Sequence, residues 1–407
     1  MIMEVEASRE ADLWPSDTTY ALGYYKLLGR GLGIWPLESR GFMPNAKMLF
    51  VIIIQLWMSI SLTKKLLIKG NCGSVTDNVD ALSLIFCGFL TVMKVAIPRI
   101  HQKNMLIVVD SAIKDWSSVV SDKPRSVMKK YAYIGRLVFL VQMCGVYAAG
   151  FPLIFLKLPF INALWNDPED NVTVREVPIG PRCWIPDDVS TYRYVGDYIL
   201  QSVQLLVVCT AYIGCDTYFF GIAMHVCGQF EVLHMNVRRL DGTKDSLWRR
   251  QKLNDFVRRH NHLLQLAHNF EETFNVIILA QVGVDTLLVC ISGIALLMSL
   301  SSGDLVIISG LIIRIYLVNV QLFMYSYVGE KLSTNAENLS VAVYNCPWYD
   351  MPRNIVKDMR FIIMRTNYRF NLTAGKLYSM NIENFKTMLT KIGSCFSVLR
   401  LVFQESA

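Results

Sequence analysis

Seven long apolar blocks constrain this chain more than any other feature of its sequence. They lie at roughly 46–63, 79–98, 131–155, 196–222, 273–299, 304–327 and 377–403. A helix needs about 20 mostly apolar residues to cross the hydrocarbon core of a bilayer, and every block is of that order. Only 18% of the residues are charged, against roughly 25% in a soluble domain. The sequence therefore predicts an all-α integral membrane protein with seven transmembrane helices.

The distribution of basic residues predicts the orientation of these helices. One set of segments precedes the first block and connects blocks two to three, four to five and six to seven. It holds more than three times as many lysines and arginines as the other connections. Basic residues near helix ends prefer the cytoplasm. We therefore expect a cytoplasmic amino terminus and an extracellular carboxyl terminus, the reverse of a G-protein-coupled receptor.

This topology divides the chain into four segments. In order, they are a cytoplasmic amino-terminal segment at 1–45, helices one to six at 46–327 with a long cytoplasmic helical extension at about 228–272, cytoplasmic anchor helices at 328–376, and the seventh helix with a short extracellular tail at 377–407. Apolar residues recur at helical spacing in 246–272 and 353–370. These two segments are too polar to span, so they either lie on the membrane surface or pack against subunits below it.

Two cysteines and one glycosylation sequon fall in the predicted extracellular loops. Cys72 and Cys183 are in an oxidising compartment and are able to pair, although the sequence does not decide whether they do. Asn171 begins an Asn-Val-Thr sequon, which is modified only on the lumenal or extracellular side.

Sequence motifs of catalysis and metal binding are absent. The chain has no Gly-x-Ser-x-Gly, no His-Glu-x-x-His and no phosphate-binding glycine loop. His260 and His262 are two residues apart and cannot share one helix face, so we interpret them as surface histidines. We expect no enzymatic activity, no cofactor and no metal.

The seventh block differs from the others because one of its faces is polar. At 100° per residue, one side carries Glu383, Lys386, Thr387, Thr390, Lys391, Ser394 and Ser397. Val398, Leu401 and Val402 continue this face toward the outer end. A polar stripe in a membrane must face protein or water, so the helix is either buried in its own bundle or lines a pore built from several subunits. In a pore, Val398 and Val402 would form a hydrophobic constriction, with Leu401, Ser394 and Lys391 on the same wall.

Aromatic, amide and methionine residues in the outer halves of helices two, three and four suggest a small-molecule site. They are Phe86, Phe89, Gln142, Met143, Tyr147, Gln204 and Tyr212, together with the aliphatic Val208. A mostly apolar pocket with a few polar groups is typical of such sites, and plain helix packing is the alternative for each residue.

Several charged residues lie inside the predicted spans. Asp285 and Arg314 are at similar depth in helices five and six, which a short connection makes antiparallel neighbours. We predict an ion pair between them, with separate contacts to water as the alternative. Lys94 and Arg136 lie near inner helix ends, where we expect them to snorkel to the interface.

Motifs near the carboxyl terminus resemble those of insect odorant receptors. The run from Tyr344 to Pro352 resembles their Tyr…Trp-Tyr-x-x-Pro stretch, and 372–376 resembles their Leu-Thr-Ala-Gly-Lys segment. The end from Ser394 to Arg400 resembles their Ser-Tyr-Phe-x-x-Leu-Arg run, with Cys395 where the family usually has Tyr. These motifs cover about the last 65 residues.

The resemblance implies a ligand-gated, nonselective cation channel of four subunits, with seventh helices lining the pore. In that family a variable subunit assembles with a common co-receptor and binds an odorant in the outer half of its own bundle. The family's two constricting positions fall on Val398 and Val402. This chain lacks the co-receptor's long insertion between helices four and five, so we interpret it as the variable, odorant-tuning subunit.

The implied partners are the co-receptor, a small volatile odorant and membrane lipid, with no nucleic acid and no G protein required. The implied location is the plasma membrane of olfactory sensory neurons. A membrane transporter and a G-protein-coupled chemoreceptor are the alternatives. A transporter would show internal repeats and helices broken near mid-membrane, and a G-protein-coupled receptor requires the opposite orientation.

Overall fold

The fold is mainly helical in the part of the chain that the structure describes. The computed structural model describes residues 14–38, 41–70, 72–158, 175–186, 189–237, 246–300, 303–366 and 370–405. The α-helices are α1 (Ser16–Leu32), α2 (Phe42–Lys69), α3 (Val75–Ile100), α4 (Gln102–Ser118), α5 (Asp122–Phe155), α6 (Thr191–Val237), α7 (Ser246–Leu300), α8 (Leu305–Tyr344), α9 (Arg353–Thr366) and α10 (Ile382–Glu405). Strands β1 (Thr373–Ala374) and β2 (Tyr378–Ser379) pair antiparallel before α10.

Six of these helices are long and apolar enough to cross a membrane, namely α2, α3, α5, α6, α7 and α8. Each of the first six apolar blocks of the sequence lies inside one of them to within one residue. The 24-residue α10 is not among these six, which were identified among the described residues by length and composition. The protein is therefore an all-α, multi-pass membrane protein.

The predicted start of the seventh helix at 377 is wrong by five residues. Residues 377–379 belong to the turn and strand β2, and α10 begins at Ile382. The Asn384 backbone N–H donates to Oδ1 of Asn381 over 2.6 Å, which satisfies a free amide at the helix amino terminus.

Three helices continue far beyond the length that a bilayer requires. Helix α7 has 55 residues, which is roughly 80 Å at 1.5 Å per residue, against about 30 Å of hydrocarbon. The extension at 246–272 packs on its own chain through Leu253, Phe256 and Leu263, which are buried, whereas Leu247 is exposed. Helix α9 buries Ile355, Met359 and Ile362 in the same core.

Glycines spaced seven apart on α6 allow close packing of its neighbours. A Cβ at Gly221 would lie 2.1 Å from the Tyr25 ring, and one at Gly214 would lie 2.7 Å from Leu28. At Gly228 the neighbour is Tyr131 of α5. Helices α1 and α5 thus lie directly against the α6 backbone, and α1 becomes part of the main core.

A disulfide joins Cys72, in the turn between α2 and α3, to Cys183 in the loop before α6, with their Cα atoms 6.3 Å apart. Trp184 beside it is buried and donates from Nε1 to the carbonyl of Lys69 at the end of α2. The loop is thereby held against the ends of α2 and α3. Asn171 lies outside the described residues.

Candidate functional site

An apolar cluster fills the end of the bundle nearest the disulfide. Helices α2, α3, α5 and α6 contribute to it, and its buried members include Met58, Leu62, Ile85, Leu205, Val208 and Tyr212. Tyr147 of α5 packs against the cluster, and its hydroxyl lies 2.6 Å from Oγ1 of Thr210.

The structure brings together some of the predicted ligand-binding residues and separates others. Tyr147, Val208 and Tyr212 share the cluster, and Gln204 is buried on the same helix. Phe86 is half-buried outside the cluster, and Phe89 is 43% exposed beside α2. Gln142 donates to Sδ of Met324 on α8 over 3.3 Å. Met143 lines a groove on another side of the bundle.

A buried ion pair lies directly beneath this cluster. Lys94 of α3 and Asp216 of α6 are each 1% exposed, and Nζ lies 2.7 Å from Oδ1 and 2.8 Å from Oδ2 of the carboxylate. Tyr325 and Gln321 of α8 also donate to that carboxylate. The ammonium lies 3.5 Å from the centroid of the Tyr212 ring. The expectation that Lys94 snorkels is wrong, because Asp216 in the neighbouring helix neutralises it.

Hydrogen bonds extend this network to α7 through Tyr212. Its hydroxyl accepts from Nε2 of Gln281 over 2.8 Å and donates to Gln321 over 3.3 Å. Gln281 also donates to Asp285 over 2.7 Å. The chain Asp285–Gln281–Tyr212–Gln321–Asp216–Lys94 therefore links α7, α6, α8 and α3 without a break.

The predictions for Arg314 and Arg136 are both wrong. In each case the partner is set by the direction in which the side chain leaves its helix, and not by the depth of the residue along the helix. Arg314 forms its ion pair with Asp80 at the start of α3, and not with Asp285. Arg136 does not snorkel freely, because it donates to the carbonyl of Tyr20 over 2.6 Å and stacks on the rings of Tyr20 and Tyr24 of α1. The sequence signal that could have led to the network was Asp216, an acid inside a predicted span.

Helix α10 divides into a packed face and an open face. Ile392 is buried, the Phe385 and Phe323 ring centroids are 5.6 Å apart, and Met388 Sδ lies 3.9 Å from Oγ1 of Thr286 on α7. The open face carries Glu383, Lys386, Thr387, Thr390, Lys391 and Ser394, all exposed.

The hydroxyls on this open face bond back to their own helix. Thr390 donates to the carbonyl of Lys386 and Ser394 to that of Thr390, each over 3.0 Å. The charges of Glu383, Lys386 and Lys391 form no ion pair among the described residues. Val398, Leu401 and Val402 follow on α10, and their side chains lie outside the described residues.

The chain is similar to insect chemoreceptors in sequence. The model of the 7tm Odorant receptor family matches residues 74–392. Odorant receptor 13a of Drosophila melanogaster is 22% identical over 398 residues, which cover 91% of this chain and 93% of that protein. Odorant receptor 10 of Aedes albopictus is 23% identical over 238 residues, 56% of this chain and 61% of that protein.

The fold is also that of a solved receptor. The insect olfactory receptor OR5 from Machilis hrabei superposes with a TM-score of 0.72 at 14% identity, over 94% of this chain and 99% of that one. A second structure of OR5, in complex with eugenol, gives 0.74. The 7tm Odorant receptor family is a family of receptors and not of enzymes. Because the family model spans most of the chain, this protein belongs to the insect odorant receptor family.

Proposed function

We propose that the protein is the odorant-binding subunit of a heteromeric, ligand-gated, nonselective cation channel. The observation that carries this proposal is the open polar face of α10, with three charged side chains on a helix whose other face packs on α7 and α8. Charged groups facing lipid are costly. A water-filled conduit shared with other subunits removes that cost, and closed symmetry is the usual arrangement.

In this proposal α10 is the seventh transmembrane helix, and the chain has a cytoplasmic amino terminus and an extracellular carboxyl terminus. The partners are copies of the common co-receptor in a heterotetramer, in the plasma membrane of olfactory sensory neurons. Val398 and Val402 form the constriction, and Lys391, Ser394 and Leu401 line the wall around it.

The odorant would bind in the outer half of the bundle, where Tyr147, Val208 and Tyr212 converge. OR5 was solved in complex with eugenol, and we infer a small organic ligand for this chain too. Gln204 is buried on the same helix as Val208 and Tyr212. Its role stays a proposal, as do those of Phe86, Phe89, Gln142 and Met143, which lie outside the apolar cluster.

Helix α7 offers a direct mechanical link between ligand and pore. Gln281 contacts Tyr212, and Thr286, little more than one turn further, contacts Met388 of α10. The hairpin before α10 is also fixed to α7, since Gly375 N donates to the carbonyl of Asn275 over 2.8 Å. A ligand that displaces Tyr212 would thus move the helix on which α10 rests.

The deciding experiment records odorant-evoked current from cells that express this chain with the co-receptor. We expect Val398→Lys to reduce the current at least about tenfold or to shift its reversal potential, because a charge enters a dewetting constriction. The conservative Val398→Leu serves as the matched control and should retain the current. Unchanged current and ion selectivity in Val398→Lys, in complexes shown to contain it, would overturn the channel assignment.

A further inference from the structure

A large apolar groove opens on the surface of the bundle. Its volume is about 970 Å³, and helices α1, α2, α5 and α6 form its walls. Leu28, Phe50, Phe139, Met143, Leu206 and Val207 are among its lining residues. Three of the four helices are among those able to span a membrane, so the groove opens toward hydrocarbon and water is a poor occupant.

The rim of the groove is itself apolar and exposed. Leu27 is 74% exposed on α1, and Phe50 is 54% exposed on α2. Gly31 also lines the groove, and a Cβ built on it meets nothing within 4 Å. The groove is therefore an open apolar surface suited to an acyl chain, with unfilled space beside Gly31.

The end of the groove near the start of α2 is cationic. Lys47 lines it and donates one hydrogen bond to the carbonyl of Arg30 over 3.1 Å. An ammonium has three donors, so further donors remain for a ligand. Arg30, in the last turn of α1, lies 3.4 Å from Glu38. By the charge distribution of the sequence, this end faces the cytoplasmic leaflet, which is the leaflet rich in anionic lipids.

We propose that this groove is a binding site for an anionic glycerophospholipid of the cytoplasmic leaflet. One acyl chain lies along α5 and α6, and the phosphate accepts hydrogen bonds from Lys47. The groove wall includes Thr210, whose hydroxyl bonds to Tyr147. The lipid therefore supports the back of the apolar cluster without entering it.

Native mass spectrometry of the purified full-length receptor tests the site. Phosphatidylglycerol and phosphatidylcholine with identical acyl chains are titrated separately into the protein with its co-receptor. We expect phosphatidylglycerol to bind at least about threefold more tightly, and Lys47→Gln to remove that preference. Lys64→Gln, at the other end of α2, is the charge control and should leave the preference intact.

A second pair of variants tests the groove itself. Gly31→Leu fills open space without strain in the helix, and we expect it to weaken binding of both lipids at least about threefold. Gly145→Leu is the matched control, because its Cβ also meets nothing within 4 Å and it is not among the lining residues. Equal binding of the two lipids by the unaltered protein, or unaltered binding by Gly31→Leu, would overturn the proposal. Added glycerol phosphate should not compete with phosphatidylglycerol. Competition by glycerol phosphate would mean that the site binds a phosphate group without a lipid.

Discussion

Two regions of this molecule carry charged side chains on long helices. In the first region the charges are buried and paired, and in the second they are exposed. At Lys94 and Asp216 every charged oxygen and the ammonium have partners, drawn from α3, α6 and α8. On α10 the side chains of Glu383, Lys386 and Lys391 are exposed at the surface of the chain. The charges of the first region are paired within this chain, whereas those of the second form no ion pair among the described residues.

Charged residues within long helices therefore have two different roles in this protein. Those of the buried network hold the helices together, and those of the polar stripe on α10 are assigned to conduction in our proposal. Buried polar groups in a bilayer persist only when they are paired, so a closed network fixes the arrangement of the helices around it. An open stripe instead requires water or a second subunit. The contrast therefore predicts which substitutions damage folding and which alter only conduction.

The largest expected effect is at Asp216. Asp216→Asn removes the counterion of Lys94, which is 1% exposed, and breaking a buried pair in this way costs about 3–5 kcal/mol. We expect loss of surface expression and of the thermal unfolding transition in detergent. Surface biotinylation and thermal unfolding measure the two.

Two variants act as controls for that loss. In the double variant Lys94→Met/Asp216→Asn no charge is left unpaired, so most of the stability should return. Asp285→Asn keeps an acceptor for Gln281 and breaks no ion pair of the described residues, so it should cost less than about 1 kcal/mol. If Asp216→Asn and Asp285→Asn are equally mild, the network does not organise the bundle.

The sequence predicts the helices of this fold better than it predicts their contacts. Apolar blocks located six spans because length and hydropathy are local properties. The polar stripe of α10 was also predictable, since helical periodicity places Thr390 and Ser394 on one face. The partner of Lys94 could not be predicted, because Asp216 lies 122 residues away and only the packing of α6 on α3 brings the two together. The same limit separated Phe89 and Met143 from the site.

A third region extends the comparison to a buried ionisable group, His260, whose interpretation as a surface histidine is wrong. His260 on the extension of α7 is 4% exposed, and burial, with further contributions from Arg365 and His234, lowers its pKa to about 4. The unfolded chain, with a pKa near 6.5, then binds the proton more readily than the folded chain does. Stability is complete above pH 6.5 and is lost as the pH falls toward 4, by at most about 2 kcal/mol at pH 5.

Thermal unfolding of the purified receptor at pH 7 and at pH 5 measures this effect. His260→Gln should flatten the difference between the two conditions, and His268→Gln, at an exposed position of the same helix, should not. A pH dependence that is identical in both variants and the unaltered protein would assign the acid sensitivity to other groups.

The smallest expected effect on stability, and the sharpest test of the open stripe, is at Lys391. The side chain is exposed on α10, so Lys391→Gln should change the free energy of unfolding by no more than about 0.5 kcal/mol. If the stripe lines a cation path, removal of one positive charge lowers a repulsive barrier, and single-channel conductance should rise by up to roughly twofold, or about 0.4 kcal/mol. Lys357→Gln, on the exposed side of α9, is the matched control and should alter neither quantity. Loss of folding in Lys391→Gln would mean that the stripe is closed by contacts like those of Asp216, and the contrast between the two regions would disappear.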